Sequence, residues 1–373
     1  MLTRDEARSL PQALGSLKGL ADELIVADTG SIDGTLRIAR EHGATLVKHT
    51  WEESFSAGRN AALSAATGDW ILWLNADEEI PVESHARIRE LLDAEASERV
   101  FGYRVRLRSI PRAERPDQFI DEIDLRLFRK IPGLRYEGRL HPGFPQSLAE
   151  QLMKDGWRVE TSDVVFLHHA SLSTPTPAKL RWAARLIEKE LEDNPDSLHF
   201  QIELGRTLLA LGDPRGHDVM ASAAQLLPPP EEAEPPGRDG ARVLEYVLQT
   251  PPEVSKAAIS AEQAAGLALR WYPDSPPLLW AFAERLFRSG QFAPAAGLLD
   301  RLLHLGDTRT YDLSSAFDPR IVGPWALLNL GQCRRALGQT DLARRYFERL
   351  RDDPEFRAQA ETLLADLGGA SAR

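Results

Sequence analysis

The spacing of apolar residues changes near residue 172, and this change does most to limit the folds open to the chain. Up to that point, short runs of β-branched and other apolar residues alternate with amphipathic stretches of helical period. Such an alternation predicts a mostly parallel sheet covered by helices, with ligands bound beyond the carboxyl ends of its strands. Strands are predicted at 23–28, 44–49 and 70–74, and helices between them at 34–42 and 55–66.

Three more strands are predicted before the change of pattern. The segment 103–108 alternates Tyr or Arg with apolar residues, as a strand with one buried face does. Segments 124–128 and 164–168 are short apolar runs. Residues 1–172 are therefore predicted to form an α/β domain. Functional groups are expected next to the residues that end its first three strands, Asp28, His49 and Leu74.

The pattern is helical from residue 173 to residue 373, which predicts a second, all-α domain. The stretches 280–299 and 325–354 look like copies of one unit, and a weaker copy surrounds 204–213. In each, a glycine separates two helices that carry small residues where they would touch. These units resemble tetratricopeptide repeats, which are stacked helical hairpins. Two tryptophans at core positions of the repeats, Trp280 and Trp325, are assigned to packing.

Composition limits the partners of the chain. The formal net charge of the 373 residues is −11, which argues against binding to nucleic acid or to an anionic membrane surface. No apolar run is long enough to span a membrane, and residues 1–6 do not resemble the apolar part of a signal peptide. Cys333 is the single cysteine, so no internal disulfide can form, and a cytoplasmic location is expected.

Two motifs at predicted strand ends carry groups suited to chemistry. The first, residues 28–35 (Asp-Thr-Gly-Ser-Ile-Asp-Gly-Thr), places a carboxylate and a glycine turn before a helix. The second, residues 75–79 (Asn-Ala-Asp-Glu-Glu), supplies oxygen ligands of the kind that Mg²⁺ or Mn²⁺ prefers when it bridges a diphosphate. Each motif alone is equally compatible with an ordinary turn whose polar residues cap the next helix.

In order and spacing, the two motifs resemble those of the family 2 glycosyltransferases, which have the GT-A fold. Four further segments between residues 55 and 141 share the likeness: Phe-Ser-Ala-Gly-Arg-Asn-Ala-Ala at 55–62, Ala-Thr-Gly-Asp-Trp at 66–70, Arg-Leu-Phe-Arg at 126–129 and Tyr-Glu-Gly-Arg-Leu-His at 136–141. The resemblance covers roughly residues 1–172. Together with the repeats, it is similar to a bacterial subgroup of the family that carries tetratricopeptide-like repeats at its C-terminal end.

The resemblance implies a metal-dependent glycosyltransferase that inverts the anomeric centre of a nucleotide-sugar donor, expected to be UDP-linked. Asp77 would ligate Mg²⁺ or Mn²⁺ with help from His141, Asp28 would hold the base, and Asn75 would lie near the ribose. The acceptor is unknown and could be a protein or peptide bound by the repeats. The donor-binding residues implied by the family motifs are Thr3, Arg4, Asp28, Gly30, Ser31, Asp33, Arg59, Asn60 and Asn75.

Three positions depart from the family pattern. The family usually has Asp where this chain has Asn75, which removes one negative charge near the metal. Only the end of the family's opening strand is present at residues 1–6, so we expect a misassigned start or a truncated strand. Pro142 stands where relatives often carry Glu, and the catalytic base must then be another carboxylate. The candidates are Asp124, Glu137 and Asp121.

Two other groups have open assignments. The pair His168-His169 ends the last predicted strand and is either a site residue, as in relatives, or part of a domain hinge. A set of arginines could bind phosphate or could form a solvated strand face and loop; it comprises Arg104, Arg106, Arg108, Arg112 and Arg115.

The main alternative function is a binding scaffold in which the N-terminal domain is degenerate and the helical repeats hold partner peptides. A nucleotidyltransferase is disfavoured, because segment 3–8 after the first strand lacks the glycines of a phosphate loop.

Overall fold

The computed structural model describes residues 1–93, 98–109, 119–169, 176–229, 236–312 and 316–370. These residues form two compact units, Met1–Asp193 and Asn194–Arg373. The first is an α/β unit and the second is helical, which confirms the predicted fold classes. Within the described ranges, no helix has the length and apolar character needed to cross a membrane.

The α/β unit alternates strands and helices, as the apolar pattern predicts. Helix α3 begins after Ser54, whose Oγ accepts a hydrogen bond from the Ala57 amide at 3.2 Å. The elements are β1 (Leu2–Thr3), α1 (Leu10–Ser16), β2 (Ile25–Asp28), α2 (Thr35–Glu41), β3 (Thr45–Lys48), α3 (Phe55–Ala65), β4 (Trp70–Leu72), β5 (Glu78–Glu79), α4 (Val82–Leu92), β6 (Val100–Ser109), β7 (Ile120–Arg129), α5 (Gln146–Lys154), β8 (Arg158–His168) and α6 (Pro177–Asp193).

The strands belong to two sheets. The first has the order β1-β2-β3 and is entirely parallel, with Asp28 opposite both Thr3 and Lys48. The second has the order β4-β7-β6-β8-β5, and only its β6–β8 pair is parallel. The predicted mostly parallel sheet therefore describes the first sheet alone. In the second, β6 and β7 are consecutive strands of the chain and pair antiparallel.

A shared core joins the two sheets. Ala27 of β2 belongs to the same buried cluster as Trp73, which follows β4. At the amino ends of these strands, Ile25 and Ile71 line an apolar cavity of about 330 Å³. Asp28, at the opposite, carboxyl end of β2, does not line this cavity, whereas Leu74 does. Leucines Leu14, Leu20 and Leu127 complete much of its lining.

Helix α6 packs on the α/β unit, which therefore extends beyond the boundary predicted at residue 172. The ring of Trp182 lies 6.1 Å from that of Trp51. Nearby, Glu53 accepts hydrogen bonds from Arg185 at 2.7 Å and from Lys189 at 2.5 Å. These contacts bind the helix to the segment before α3, so α6 belongs to the first unit.

The helical unit is built from hairpins. Helix α7 packs with α8, α9 with α11, α12 with α13 and α14 with α15. The glycines at three of the turns, Gly212, Gly290 and Gly338, all have φ near +74° (72°, 75° and 74°), a backbone conformation that favours glycine. The helices are α7 (Leu198–Ala210), α8 (Arg215–Gln225), α9 (Gly237–Gln249), α10 (Pro252–Ser255), α11 (Ala261–Trp271), α12 (Pro276–Arg288), α13 (Phe292–Thr308), α14 (Pro324–Ala336), α15 (Thr340–Leu350) and α16 (Arg357–Ala370), with a 3-10 turn at Pro319–Val322.

Small residues bring the paired helices together, as the repeat pattern predicts. A Cβ atom added at Gly331 of α14 would lie 2.3 Å from Cε1 of Phe347 in α15. At Gly205 of α7, it would lie 2.7 Å from Met220 of α8. The tryptophans Trp280 and Trp325 pack against the core with their ring centroids 5.9 Å apart.

Candidate active site at the carboxyl edge of the α/β unit

Asp28 ends β2 and holds together the loop that follows it. Its buried carboxylate accepts hydrogen bonds from the backbone amides of Gly30 and Ser31, each at 3.0 Å, and from the Ser31 hydroxyl. The Thr3 hydroxyl of β1 lies 3.5 Å from the same carboxylate. Gly30 has φ +107°, which an L side chain rarely adopts, so the turn depends on this glycine. The predicted contact of Asp28 with a nucleobase remains a prediction.

Asp33 fixes the other end of this loop. Its carboxylate accepts from the Thr35 amide at 2.9 Å and from the Thr35 hydroxyl at 2.5 Å, and the same hydrogen bonds lower its pKa. It also accepts from the Ala7 amide at 3.0 Å. Arg4 is exposed beside this loop. The loops after β1 and β2 are therefore tied to each other, and of the predicted donor-binding residues they hold Thr3, Arg4, Asp28, Gly30, Ser31 and Asp33.

Arg59 of α3 is a half-buried cation whose guanidinium contacts two aromatic rings. Its guanidinium carbon lies 4.6 Å from the ring centre of Trp73 and 5.1 Å from that of Tyr136. Burial lowers the pKa of Arg59 and raises that of Tyr136 to about 12. No carboxylate of the described residues comes within salt-bridge distance of Arg59. A partly buried cation that has no direct carboxylate partner is a candidate anion-binding group.

Asn60 fixes the position of one of these rings. Its side-chain amide donates to the Tyr136 carbonyl at 2.9 Å and accepts from the Tyr136 amide at 2.7 Å. This pair of hydrogen bonds attaches the segment after β7 to helix α3. Asn60 therefore supports the Arg59 pocket through Tyr136, whereas its predicted direct contact with the donor is still a prediction.

Asn75 takes part in a closed polar network after β4. Its side-chain amide donates to Glu78 at 2.8 Å, and its Oδ1 accepts from Trp73 Nε1 at 3.1 Å. The carboxylate of Glu78 also accepts two hydrogen bonds from the Arg126 guanidinium, each at 2.9 Å. Both ends of the Asn75 side chain thus have protein partners. A contact between Asn75 and a ribose stays a prediction.

Asp77 lies beside His168, the residue that ends β8. The distance from Asp77 Oδ2 to His168 Nε2 is 3.3 Å, and His168 Nδ1 lies 2.9 Å from the Ser109 hydroxyl. Burial opposes ionisation of Asp77, but the hydrogen bond and charge of His168 outweigh it, so the pKa of Asp77 is lowered. The hydrogen bond to Asp77 raises the pKa of His168 against the effect of its own burial. The structure thus brings His168 within hydrogen-bond distance of Asp77, and its role as a site residue remains a prediction.

The three candidate bases are all paired with arginines. Asp121 is buried and accepts from Arg108 at 2.8 and 2.9 Å. Asp124 accepts from Arg126 at 2.8 Å, but its side chain is 54% exposed. Glu137 accepts from Arg135 at 2.7 Å and is 47% exposed. Asp124 is therefore the candidate that combines an exposed carboxylate with a direct link to the Glu78 network.

The remaining candidates have varied surroundings. His141, proposed as a metal ligand, lies exposed in a bend, and the histidine within hydrogen-bond distance of Asp77 is His168. Of the strand arginines, Arg104 is exposed, whereas Arg108 pairs with Asp121. Arg106 also approaches Asp121, at 3.5 Å. Arg112 and Arg115 lie outside the described residues.

Matches to known families extend over both units. Residues 1–145 match the family model of glycosyl transferase family 2, and residues 325–355 match that of a tetratricopeptide repeat. The chain therefore carries a family 2 glycosyltransferase domain at its N-terminal end and a tetratricopeptide repeat at its C-terminal end. The resemblance seen in the sequence is confirmed for both parts.

Three individual proteins illustrate this similarity. A TPR repeat-containing protein of Synechococcus elongatus is 36% identical over 217 residues, which are 57% of this chain and 52% of that protein. An uncharacterized glycosyltransferase of Rickettsia felis is 32% identical over 29% of this chain and 38% of its own length. A solved structure of glucosyl-3-phosphoglycerate synthase from Mycobacterium tuberculosis aligns at 23% identity and a TM-score of 0.24, over 31% of this chain and 43% of that one. The chain spans about half or less of the length of these curated relatives.

Proposed function

We propose that the chain is a metal-dependent, inverting glycosyltransferase that transfers a sugar from a nucleotide-sugar donor to an acceptor. The family 2 domain over residues 1–145 supports sugar transfer. The single observation that carries the donor assignment is Arg59, a half-buried guanidinium that contacts two aromatic rings and has no carboxylate of the described residues within salt-bridge distance. A diphosphate would give this guanidinium a direct anionic partner through charge-assisted hydrogen bonds.

The groups around Asp77 fit a divalent cation. Asp77 Oδ2 and His168 Nε2 lie 3.3 Å apart, close enough to act as neighbouring ligands of one ion. The Ser109 hydroxyl contacts the other ring nitrogen of His168, the type of outer contact that orients a metal-binding histidine. No cluster of three or more His, Cys, Asp or Glu ligands occurs in the described ranges, so water and donor oxygens would complete the shell. When bound, Mg²⁺ or Mn²⁺ would neutralise the charge on the leaving diphosphate.

The chemistry assigned to the protein itself is orientation and proton removal. An acceptor hydroxyl oxygen forms a bond to the anomeric carbon while the bond from that carbon to the diphosphate breaks. A carboxylate accepts the hydroxyl proton, as general-base catalysis requires. We assign this role to Asp124, which is the most exposed of the three candidates at 54%. Arg59 binds the diphosphate that leaves.

We assign binding of the acceptor, or of a partner protein, to the helical unit. Stacked helical repeats form extended concave surfaces, and a tetratricopeptide repeat is present at residues 325–355. The acceptor is then a protein or peptide, and the cytoplasmic location expected from the cysteine content remains part of this proposal. A pure scaffold is not favoured, because relatives that match the N-terminal domain are named glycosyltransferases.

A thermal-shift screen tests the donor assignment. UDP, GDP, dTDP and CMP are added to the full chain with and without Mn²⁺, and the melting temperature of the α/β unit is recorded. A ligand at about 100 times its dissociation constant stabilises the bound state by about 2.7 kcal/mol. We expect one nucleotide to raise the melting temperature with Mn²⁺ and the Asp77→Ala variant to lose this increase. The matching nucleotide-sugar should then be hydrolysed slowly by the wild-type chain.

The control variant is Asp163→Ala, which removes an exposed carboxylate that pairs with Arg87. It should keep the full nucleotide shift. The proposal is wrong if no nucleoside diphosphate shifts the wild-type melting temperature, or if Asp77→Ala and Asp163→Ala respond alike.

A further inference from the structure

Glu78 is the most deeply buried carboxylate of the second motif, and it contacts no solvent. Its side chain is 0% exposed, and that of its partner Arg126 is 6% exposed. We propose that Glu78 is a positioning residue that holds the Asp77 loop in its binding geometry, and that Asn75 is an amide because Glu78 requires one. This inference rests on the proposed function, since it assigns Asp77 to cation binding.

Glu78 accepts all of its hydrogen bonds from donor groups, so a second carboxylate beside it would be repelled. Its two oxygens accept from the Asn75 amide nitrogen at 2.9 Å, from Asn75 Nδ2 at 2.8 Å and from two nitrogens of Arg126 at 2.9 Å each. All four partners are donors. An aspartate at position 75 would replace the Nδ2 donor by an oxygen, and two carboxylates would face each other about 2.8 Å apart.

Strand pairing fixes Glu78 and Asp77 to the same neighbouring strand. It forms β5, which pairs with β8 so that Glu78 lies opposite His168. The amide of His169 donates to the Asp77 carbonyl at 2.9 Å, which continues this pairing. Displacement of the Glu78 backbone would therefore move Asp77 and His168 relative to each other.

Arg126 connects the same network to the candidate base. It donates from Nε to Asp124 at 2.8 Å while its two terminal nitrogens hold Glu78. Burial favours the neutral form of Arg126, but the charges of Glu78 and Asp124 outweigh this and raise its pKa. One buried guanidinium thus orients both the loop that carries Asp77 and the carboxylate assigned to proton removal. Asn75, which departs from the family pattern, then forms a matched pair with Glu78.

A double-mutant cycle tests the pairing of Asn75 with Glu78. The variants are N75D, E78Q and N75D/E78Q, in which the acid and the amide exchange positions and the total charge is kept. Each single variant should lower the melting temperature of the ligand-free α/β unit by about 5 °C or more. The double variant should lose clearly less melting temperature than the sum of the two single losses, because an acid and an amide again face each other.

A second measurement separates positioning from simple stability. The Mn²⁺ concentration that gives half-maximal nucleotide binding is measured by calorimetric titration at a temperature where every variant is folded. This Mn²⁺ midpoint should be at least about tenfold higher in E78Q, because substitutions of residues that orient metal ligands commonly weaken metal binding by that factor. D163N, an exposed amide substitution on β8, is the control and should leave it unchanged.

Two results would overturn the proposal. Additive losses in the cycle would show that Asn75 and Glu78 do not act as a pair. An unchanged Mn²⁺ midpoint in E78Q would show that Glu78 is only structural. If the wild-type chain shows no shift with any nucleotide and Mn²⁺, the proposed function and the positioning role both fail, whereas the ligand-free cycle still decides the pairing.

Discussion

The two units of the chain differ in what they bury. Among the described residues, every buried carboxylate and guanidinium lies in the α/β unit, including Asp28, Glu78, Asp121 and Arg126. Among the described residues of the helical unit, the buried polar residues other than tyrosine are two serines, Ser255 and Ser275. Buried ionic groups contribute little to stability compared with apolar packing of the same volume. Their concentration in the α/β unit agrees with the binding and chemistry that we propose for that unit.

The same contrast explains how each unit is held together. In the α/β unit, polar loops at the strand ends are fixed by carboxylates such as Asp28 and Asp33. In the helical unit, the paired helices are fixed by the fit of a small residue to a large one, as for Gly331 and Phe347. Substitutions in the helical unit should thus change stability, and substitutions at the carboxyl edge should change ligand response.

The largest effect is expected from Phe347→Ala. This side chain is fully buried between α14 and α15, so its removal leaves a cavity and should cost about 3–5 kcal/mol of unfolding free energy. Denaturant unfolding of the full chain measures the loss. The control is Leu342→Ala, a side chain 38% exposed on the same helix, which should cost much less. The nucleotide shift of the α/β unit should survive; its loss would show that the two units do not act separately.

A smaller loss is expected from Gly331→Ala. The added methyl group would meet the Phe347 ring at 2.3 Å, and overpacking of this kind costs about 1–3 kcal/mol. The double variant Gly331→Ala/Phe347→Leu should recover part of the loss, because leucine vacates the ring position. Equal stability of Gly331→Ala and wild type in denaturant would show that this close approach does not hold the repeat together.

The smallest effect concerns pH and the Asp77–His168 pair. Because the pKa of Asp77 is lowered on folding, its ionisation stabilises the fold at pH values above the ordinary pKa of 3.8. This contribution is lost as the pH falls through the pKa of the folded state. Because the pKa of His168 is raised on folding, its protonation stabilises the fold at pH values below the ordinary pKa of 6.5. This contribution is lost as the pH rises through the pKa of the folded state. The stability difference between wild type and Asp77→Asn should therefore be greater at pH 5 than at pH 9. A difference that grows toward pH 9 would contradict the pairing.

The sequence predicts the elements of the α/β unit well because strand and helix periods differ. The strand predicted at 44–49 is Thr45–Lys48, and the helix predicted at 55–66 is Phe55–Ala65. The separate second sheet is not visible in the same pattern. Whether β4 pairs with β1 or with β7 depends on contacts far apart in sequence, which local periodicity does not encode.

The sequence also identifies the segments of the site better than its contacts. Residues 28–35 begin at the end of β2, as predicted, whereas segment 75–79 follows β4 and includes the short strand β5. The roles of Glu78 and Arg126 were not predicted, because the two residues are 48 positions apart and meet only once β5 and β7 are placed. A signal existed in each segment, since Glu78 directly follows Asp77 and Arg126 begins a family-like motif. Their pairing, however, depends on topology.

The central claim is that Arg59 and Asp77 bind the diphosphate of a nucleotide, and calorimetric titration of UDP with Mn²⁺ tests it most directly. Arg59→Met keeps an apolar stem against Trp73 and Tyr136 but removes the charge, and Arg87→Met is the control at an exposed arginine. Loss of charge-assisted hydrogen bonds should weaken UDP binding by about 10- to 100-fold in Arg59→Met and leave Arg87→Met unchanged. If wild type binds UDP and Arg59→Met binds it equally well, the site proposed here is not where the diphosphate lies.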